Sequence, residues 1–132
     1  MTDIPKELDW VRVRSGCSLA LVFDALKEQV KKDVEIRNEV VGRQEPRCSV
    51  QSWNQDFAVL YGDGGGTRSV VFVLGKNSIQ IKGGSMTLLF EATLTLNDAG
   101  ECKLMVDGKE LELWQVRKRA LENLFFGDVL GG

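Results

Sequence analysis

The sequence predicts an α+β fold in which a long N-terminal helix packs on an antiparallel β-meander and a shorter C-terminal helix follows. Three observations carry this prediction. Apolar residues recur every three or four positions over residues 18–41, short apolar runs between turn residues fill residues 47–114, and helical spacing returns over residues 114–126. With 132 residues, 43% hydrophobic and 27% charged, the chain has the size and composition of one globular domain, residues 1–132.

The long helix is predicted by an apolar stripe along one side of residues 18–41. Its members are Leu19, Val22, Phe23, Leu26, Val30 and Val34. Arg37 interrupts the stripe, and Asp33 precedes it at the four-residue spacing of a surface ion pair. Ser18 can accept hydrogen bonds from the first N–H groups of the helix, and Gly42 can adopt the left-handed conformation that ends one. These ends predict a helix of about 36 Å.

The meander is predicted by apolar or alternating segments with turn residues between them. The segments cover residues 57–61, 70–74, 78–82, 86–96, 102–106 and 109–113. In the clearest segment, residues 86–96, every second side chain is apolar, and we expect these side chains to point into the core. They are Met86, Leu88, Phe90, Ala92 and Leu94. Asp107-Gly108 predicts a two-residue hairpin turn.

Residues 8–14 alternate enough to predict a further short strand before the long helix. The remaining order of helix, meander and helix is similar to the layout of cystatin-like and helix-grip folds. A seven-stranded meander closed by one C-terminal helix, as in pleckstrin-homology-like domains, is the competing arrangement for residues 47–126. These similarities concern the order of elements only, so no functional residue is transferred from them.

The absence of histidine is the most informative feature of the composition. It excludes Ser-His-Asp and Cys-His nucleophile arrangements and removes the commonest metal ligand. Carboxylate pairs such as Glu110 with Glu112 remain, but they lie in predicted hairpins, where solvated charges are expected. We therefore favour a protein without enzymatic activity, and we predict no bound metal and no cofactor.

Charge is spread along the chain, with 17 basic and 19 acidic residues and a formal net charge of −2. The densest basic cluster, residues 117–119, lies in a predicted helix and is typical of a solvated helix face. No segment approaches the roughly 20 consecutive apolar residues that cross a bilayer. We therefore expect neither nucleic acid nor a membrane as a partner.

The three cysteines, Cys17, Cys48 and Cys102, are odd in number and far apart in sequence. Their spacing matches neither a zinc site nor a paired redox motif. We predict three free and mostly buried thiols. Because the first residues also lack the pattern of a secretory signal, we expect a cytoplasmic location.

The glycine-rich loop at residues 62–68 is a candidate site for an anionic ligand, since its backbone N–H groups could form an anion-binding nest beside Arg68. The lysine and the Ser or Thr of a phosphate-binding Walker loop are absent, so a hairpin loop is the simpler interpretation. The candidate ligand-binding residues are Trp53, Tyr61, Gly64, Gly65, Gly66, Thr67 and Arg68.

The segments at residues 57–61 and 70–74 are apolar on both faces, which predicts a cover on each side. The long helix can cover one side and the short C-terminal helix only part of the other, so self-association as a homodimer is the predicted cover for that side. The alternative is that the C-terminal helix packs squarely on this face and suffices as its cover. The candidate interface residues are Ala58, Leu60, Val71, Val73, Leu89 and Met105.

The leading functional hypothesis is a non-catalytic binding or assembly module that uses a helix–sheet groove or a sheet face, with a small molecule or a peptide as the ligand. Two alternatives remain. One is a small enzyme that uses carboxylates or a bound cofactor in the groove, and the other is a sensor of anionic ligands at the glycine-rich loop. Carboxylates or a lysine converging inside the groove would favour the enzyme, whereas an apolar groove would favour binding.

Overall fold

The computed structural model describes residues 9–44, 46–62 and 68–127, and it confirms the predicted order of long helix, antiparallel meander and C-terminal helix. Two helices come first, α1 (Trp10–Gly16) and α2 (Leu19–Val41), and a 3-10 turn (Gly42–Gln44) follows them. The strands are β1 (Cys48–Trp53), β2 (Asp56–Tyr61), β3 (Arg68–Leu74), β4 (Ser78–Gly83), β5 (Leu88–Leu96), β6 (Cys102–Val106) and β7 (Lys109–Leu111). A C-terminal helix, α3 (Leu113–Phe126), comes last.

The seven strands form one antiparallel sheet in which their order in space is their order in the chain. Asp107 and Gly108, with φ of 53° and 78°, make the predicted two-residue turn between β6 and β7. A register shift interrupts the ladder between β4 and β5. Ile81 pairs with Phe90 but Lys82 pairs with Leu88, so Leu89 is an extra residue in β5. The meander prediction is confirmed.

Residues 10–16 form α1 rather than the predicted strand. The Asp9 carboxylate accepts a hydrogen bond from the Arg12 N–H (3.3 Å), and the Cys17 N–H donates to the carbonyls of Val13 and Arg14. None of the residues of α1 is buried. Because the alternating apolar residues of this segment are not buried in the core, the local capping hydrogen bonds decide its conformation. The strand prediction is therefore wrong for this segment.

α2 begins and ends where the sequence predicts. Ser18 Oγ accepts a hydrogen bond from the Leu21 N–H (3.5 Å), and Gly42 follows the helix with φ of 68°. Its 23 residues span about 35 Å at 1.5 Å per residue. That length carries the chain from Cys17, which is joined to β6, to Asn38, which is bonded to β1.

Both long helices pack on the same face of the sheet, here called the helical face. Phe57 and Phe72 stack in the core with ring centroids 4.6 Å apart, and Phe23 of α2 lies 5.3 Å from Phe57. The same core cluster takes up residues of α3: Val116, Ala120, Leu121, Leu124 and Phe125. The opposite side of the sheet is called the outer face.

β5 points a shorter apolar face into the core than predicted. Phe90 and Ala92 are buried and Leu94 packs against the core, but Met86 and Leu88 are 52% and 49% exposed. Met86 lies in the turn before the strand with φ of 65°, and the register shift begins at Leu88. The inward orientation is therefore confirmed for the middle of the segment and wrong for Met86 and Leu88.

Cys17 and Cys102 form a disulfide with Cα atoms 5.5 Å apart, and Cys48 is a free, buried cysteine. The prediction of three free thiols is therefore wrong. The bonded pair is separated by 85 positions in sequence, and the path of α2 across the sheet brings the two residues together. Because disulfides persist mainly in oxidising compartments, the cysteine pattern no longer supports the predicted cytoplasmic location.

Loss of the disulfide should destabilise the fold, because the cross-link restricts the unfolded chain. For cysteines separated by 85 positions we expect a Cys102→Ser variant to lose about 4–5 kcal/mol in the free energy of unfolding, measured by urea denaturation with circular dichroism. The untreated wild type should also have an intact mass two hydrogens below that of the reduced chain. A Cys48→Ser variant is the control and should keep this mass difference. An untreated protein with the mass of the reduced chain would contradict the disulfide.

Candidate functional site

α2 and α3 lie side by side on the helical face, and an apolar groove of about 370 Å³ runs between them. Its apolar lining consists of Ile36, Val40, Trp114, Leu121, Phe125 and Phe126. Leu121 and Phe125 belong to the core and form the floor, whereas the other four form the walls. This feature is called the interhelical groove.

The walls of the interhelical groove are exposed although they are apolar. Val40 is 74% exposed, and Ile36, Trp114 and Phe126 are 57%, 55% and 54% exposed. Sequence reasoning missed this cluster because Ile36 and Val40 lie off the buried stripe of α2. Their four-residue spacing, which places both on a second line along the helix, is the signal that could have revealed it.

Two ion pairs border the interhelical groove. Arg117 Nε lies 2.7 Å from Asp33 Oδ2, and this pair is largely buried. Lys118 Nζ lies 3.5 Å from Glu122 Oε1, and both of these side chains are 59% exposed. The predicted pair of Asp33 with Arg37 is wrong, because Arg37 turns into the protein and leaves Asp33 to bind α3.

Arg37 is 3% exposed and joins α2 to α3 and to the chain before β1. Its Nε and Nη2 both donate to the Phe125 carbonyl (3.3 Å each), and its Nη1 donates to the Pro46 carbonyl (2.5 Å) and to Asn38 Oδ1 (3.3 Å). Its guanidinium carbon lies 5.3 Å from the centre of the Tyr61 ring. Carbonyl dipoles at the end of α3 and an aromatic face therefore surround the buried charge.

Asn38 continues this connection to the sheet. Its Nδ2 donates to the Cys48 carbonyl and its Oδ1 accepts from the Cys48 N–H, both at 2.8 Å. These two bonds reproduce the pairing that a neighbouring strand would make at the free edge of β1. The end of α2 is therefore fixed to the first residue of the sheet.

A second cavity, of about 620 Å³, lies between α3 and the ends of β3 and β5. Val70, Leu89, Phe90, Ala120 and Leu124 form its apolar lining, and Arg68, Ser69, Ser85, Arg119 and Asn123 form its polar lining. Among the described residues, neither a carboxylate nor a lysine lines it. This feature is called the helix–sheet cavity.

The two arginines of the helix–sheet cavity each lie over an aromatic ring. The guanidinium carbon of Arg68 is 4.3 Å from the centre of the Tyr61 ring, and that of Arg119 is 4.7 Å from the centre of the Phe90 ring. Arg119 Nη2 also lies 2.7 Å from Asp107 Oδ2. Stacking of this kind restricts the orientation of a guanidinium group.

The structure brings together only part of the predicted ligand-binding set. Tyr61 and Arg68 pair across the ends of β2 and β3, whereas Trp53 lies at the far end of β1, opposite Asp56. Four predicted residues lie outside the described part of the chain: Gly64, Gly65, Gly66 and Thr67.

Most of the predicted interface residues lie on the outer face, where little of their surface is exposed. Ala58 and Val71 are 2% and 6% exposed, and Leu60, Val73 and Met105 are half-buried. Leu89 does not join them, because the register shift turns it into the lining of the helix–sheet cavity. The walls of the interhelical groove therefore expose larger apolar side chains than this set on the outer face does.

Within the described ranges, no group of three or more His, Cys, Asp or Glu residues is placed to hold a metal ion. No helix in that part of the chain is long and apolar enough to cross a membrane. Glu110 and Glu112, the carboxylates considered from the sequence, are both exposed, and Glu112 caps α3 while it pairs with Lys103.

Replacing Arg37 should weaken the fold, because the carbonyls of Phe125 and Pro46 would lose buried donors. We expect an Arg37→Met variant to lose about 2–4 kcal/mol in the free energy of unfolding. Arg37→Lys should also be destabilised, since one ammonium cannot reproduce the fork of the guanidinium. Lys31→Gln, which removes an exposed ion pair with Glu28, is the control and should change stability little. Wild-type stability of Arg37→Met in urea denaturation would contradict this role.

Burial raises the pKa of the Cys48 thiol, and the positive charges of Arg37 and Arg68 offset part of the increase. The folded state therefore holds the thiol proton more tightly than the unfolded state does. This contribution to stability is fully present below the ordinary thiol pKa of about 8.5 and declines as the pH rises further. The stability difference between the wild type and Cys48→Ala should shrink above that pH. A difference that is constant between pH 7 and pH 10 would contradict the raised pKa.

Comparison with known proteins gives no relative from which a role could be transferred. No protein-family model, curated protein or solved structure matches the chain. The interhelical groove and the helix–sheet cavity are therefore the features whose geometry and chemistry can indicate a function.

Proposed function

We propose that this protein is a non-catalytic assembly module that binds a second copy of itself through the interhelical groove. The observation that carries the proposal is the exposure of the groove walls, formed by Ile36, Val40, Trp114 and Phe126. Side chains of this size, each more than half exposed, present on the order of 400 Å² of apolar surface. That is about half of the roughly 800 Å² that each partner buries in a standard interface.

The charges beside the groove favour a second copy over a different partner. Lys118 and Glu122 lie one turn apart on the exposed side of α3. A two-fold axis that crosses α3 between them would place each Lys118 beside Glu122 of the partner subunit, so the ion pair within each subunit would extend into a network of alternating charges across the axis. The two α2–α3 pairs would then form a layer of four helices with the groove walls inside it.

Two features support binding rather than catalysis. The charged groups that border the interhelical groove are already paired with one another, Asp33 with Arg117 and Lys118 with Glu122. The described lining of the helix–sheet cavity contains neither carboxylates nor a lysine. Neither place offers the convergent acid and base groups that a small enzyme without histidine would need.

Sedimentation equilibrium and native mass spectrometry at micromolar concentration test the proposal. We expect a dimer for the wild type, and at least a tenfold weaker dimer when Val40→Ser is combined with Trp114→Ser, because these changes remove apolar surface from both walls. The matched control combines Val11→Ser with Leu21→Ser, which are 56% and 60% exposed but lie outside the groove. This control should dimerise like the wild type.

A charge exchange tests the two-fold arrangement directly. Lys118→Glu and Glu122→Lys should each weaken the homodimer a few-fold, since exposed ion pairs contribute about 0.2–1 kcal/mol each. A mixture of the two variants should form heterodimers of near wild-type affinity.

A monomer at every concentration would overturn the proposal. A dimer that is unaffected by the groove substitutions but is lost when Leu60→Ser is combined with Val73→Ser would also overturn it, because the interface would then lie on the outer face.

A further inference from the structure

We propose that the helix–sheet cavity is a binding site for a small organic anion, a carboxylate or a phosphate monoester attached to an apolar body. Arg68 and Arg119 would bind the anionic group, and the apolar lining would hold the body of the ligand. This site is separate from the interhelical groove, and it does not depend on self-association.

The positions of the two guanidinium groups are set before any ligand arrives. Arg68 lies over the Tyr61 ring and Arg119 over the Phe90 ring, with centroid distances of 4.3 and 4.7 Å. Stacking on a ring leaves the planar edge of a guanidinium available to donate two hydrogen bonds to one oxyanion. Arg68 can offer such an edge, whereas Arg119 already donates from Nη2 to Asp107 and can offer only its remaining N–H groups. Because these side chains are already oriented, binding costs less conformational entropy than it would for free arginines.

The balance of charge around the cavity is positive. Arg119 is partly neutralised by Asp107 at 2.7 Å, but no ion pair joins Arg68 to a carboxylate of the described residues. Arg37 contributes a second charge near the same Tyr61 ring, at 5.3 Å, and carbonyls rather than carboxylates surround it. An anion in the cavity would therefore meet a net positive field from the described residues, of which only Asp107 adds a carboxylate beside an arginine of the lining.

The rest of the lining matches a ligand that is polar at one end only. Val70, Leu89, Phe90 and Leu124 offer apolar contact, and Ser69, Ser85 and Asn123 offer hydroxyl and amide groups beside the arginines. A volume of about 620 Å³ lies within the usual range for pockets that bind small molecules. Inorganic phosphate alone would leave the apolar lining unused, so we expect an anion with an aromatic or alkyl body to bind more tightly.

Titration of the ¹⁵N-labelled protein with phenyl phosphate, benzoate and phenol at low ionic strength tests the site. Phenyl phosphate and benzoate distinguish the two anion chemistries, and phenol is the neutral match. We expect both anions to shift the amide signals of Ser69, Ser85 and Asn123, with affinity falling as salt is added, and phenol to bind at least tenfold more weakly. Equal binding of phenol, or shifts confined to the interhelical groove, would overturn the proposal.

Variants test the role of the arginines. Arg68→Gln should weaken binding of the anions at least tenfold, and Arg119→Gln should weaken it less because Asp107 already shares that charge. Arg12→Gln is the matched control, since Arg12 lies on α1 and pairs with Asp9, and it should bind like the wild type. Unchanged affinity for the anions in the folded Arg68→Gln variant would overturn the proposal. If that variant fails to fold, the comparison of the anions with phenol on the wild type decides whether the site exists. Lys118→Glu, which should weaken the dimer, should bind the anions like the wild type. Failure of the anion site can therefore be distinguished from failure of the proposed self-association.

Discussion

The burial of one guanidinium group determines how the two long helices and the sheet fit together. Taking a charge out of water costs several kcal/mol unless the surrounding groups replace the lost solvation. Arg37 meets that requirement only where α2, the end of α3, the chain before β1 and the Tyr61 ring are all present. A shift of either helix along the sheet would leave the charge uncompensated, so the arginine selects one packing of the helical face.

Because α2 and α3 share one face, no long helix of the described residues covers the outer face of the sheet. The central strands nevertheless bury apolar residues there. The register sets Ala58 between Gln51 and Val71, and Val71 between Ala58 and Lys82. Ala58 and Val71 are small, and the longer polar side chains of Gln51 and Lys82 lie on either side of the pair. Small side chains placed in this way need less cover than large ones, which explains how strands that are apolar on both faces can occur in a sheet with helices on one face only. The inference from two-sided hydrophobicity to a covering partner is therefore weaker than the pattern alone indicates.

The long helix, the meander and the C-terminal helix could be predicted from local patterns because each depends on periodicity and on capping or turn residues nearby, whereas α1 has no buried side chain and its alternating pattern is misleading. Ser18 and Gly42 mark the ends of α2, and Asp107 with Gly108 marks a hairpin. Features that depend on distant contacts could not be predicted in the same way. The Cys17–Cys102 bond, the inward turn of Arg37 and the displacement of Leu89 by a register shift all follow from how α2, α3 and the strands pack. The interhelical groove and the helix–sheet cavity could not be predicted for the same reason, since each is formed by elements far apart in the chain. Of the predicted ligand-binding residues that the structure describes, only Arg68 lines the helix–sheet cavity.

The disulfide divides the chain into parts that would bear mechanical tension differently. Because Cys17 is bonded to Cys102, a force that pulls on the two ends of the chain passes directly from the end of α1 to the start of β6. Residues 18–101, which include α2 and the strands β1 to β5, are bypassed and cannot be extended while the bond is intact. The elements left in the line of force are α1, β6, β7 and α3, so α3 could be pulled from the helical face while the larger part of the sheet stays folded. A tether at the two termini would thus act on one wall of the interhelical groove and one wall of the helix–sheet cavity, because α3 contributes to both.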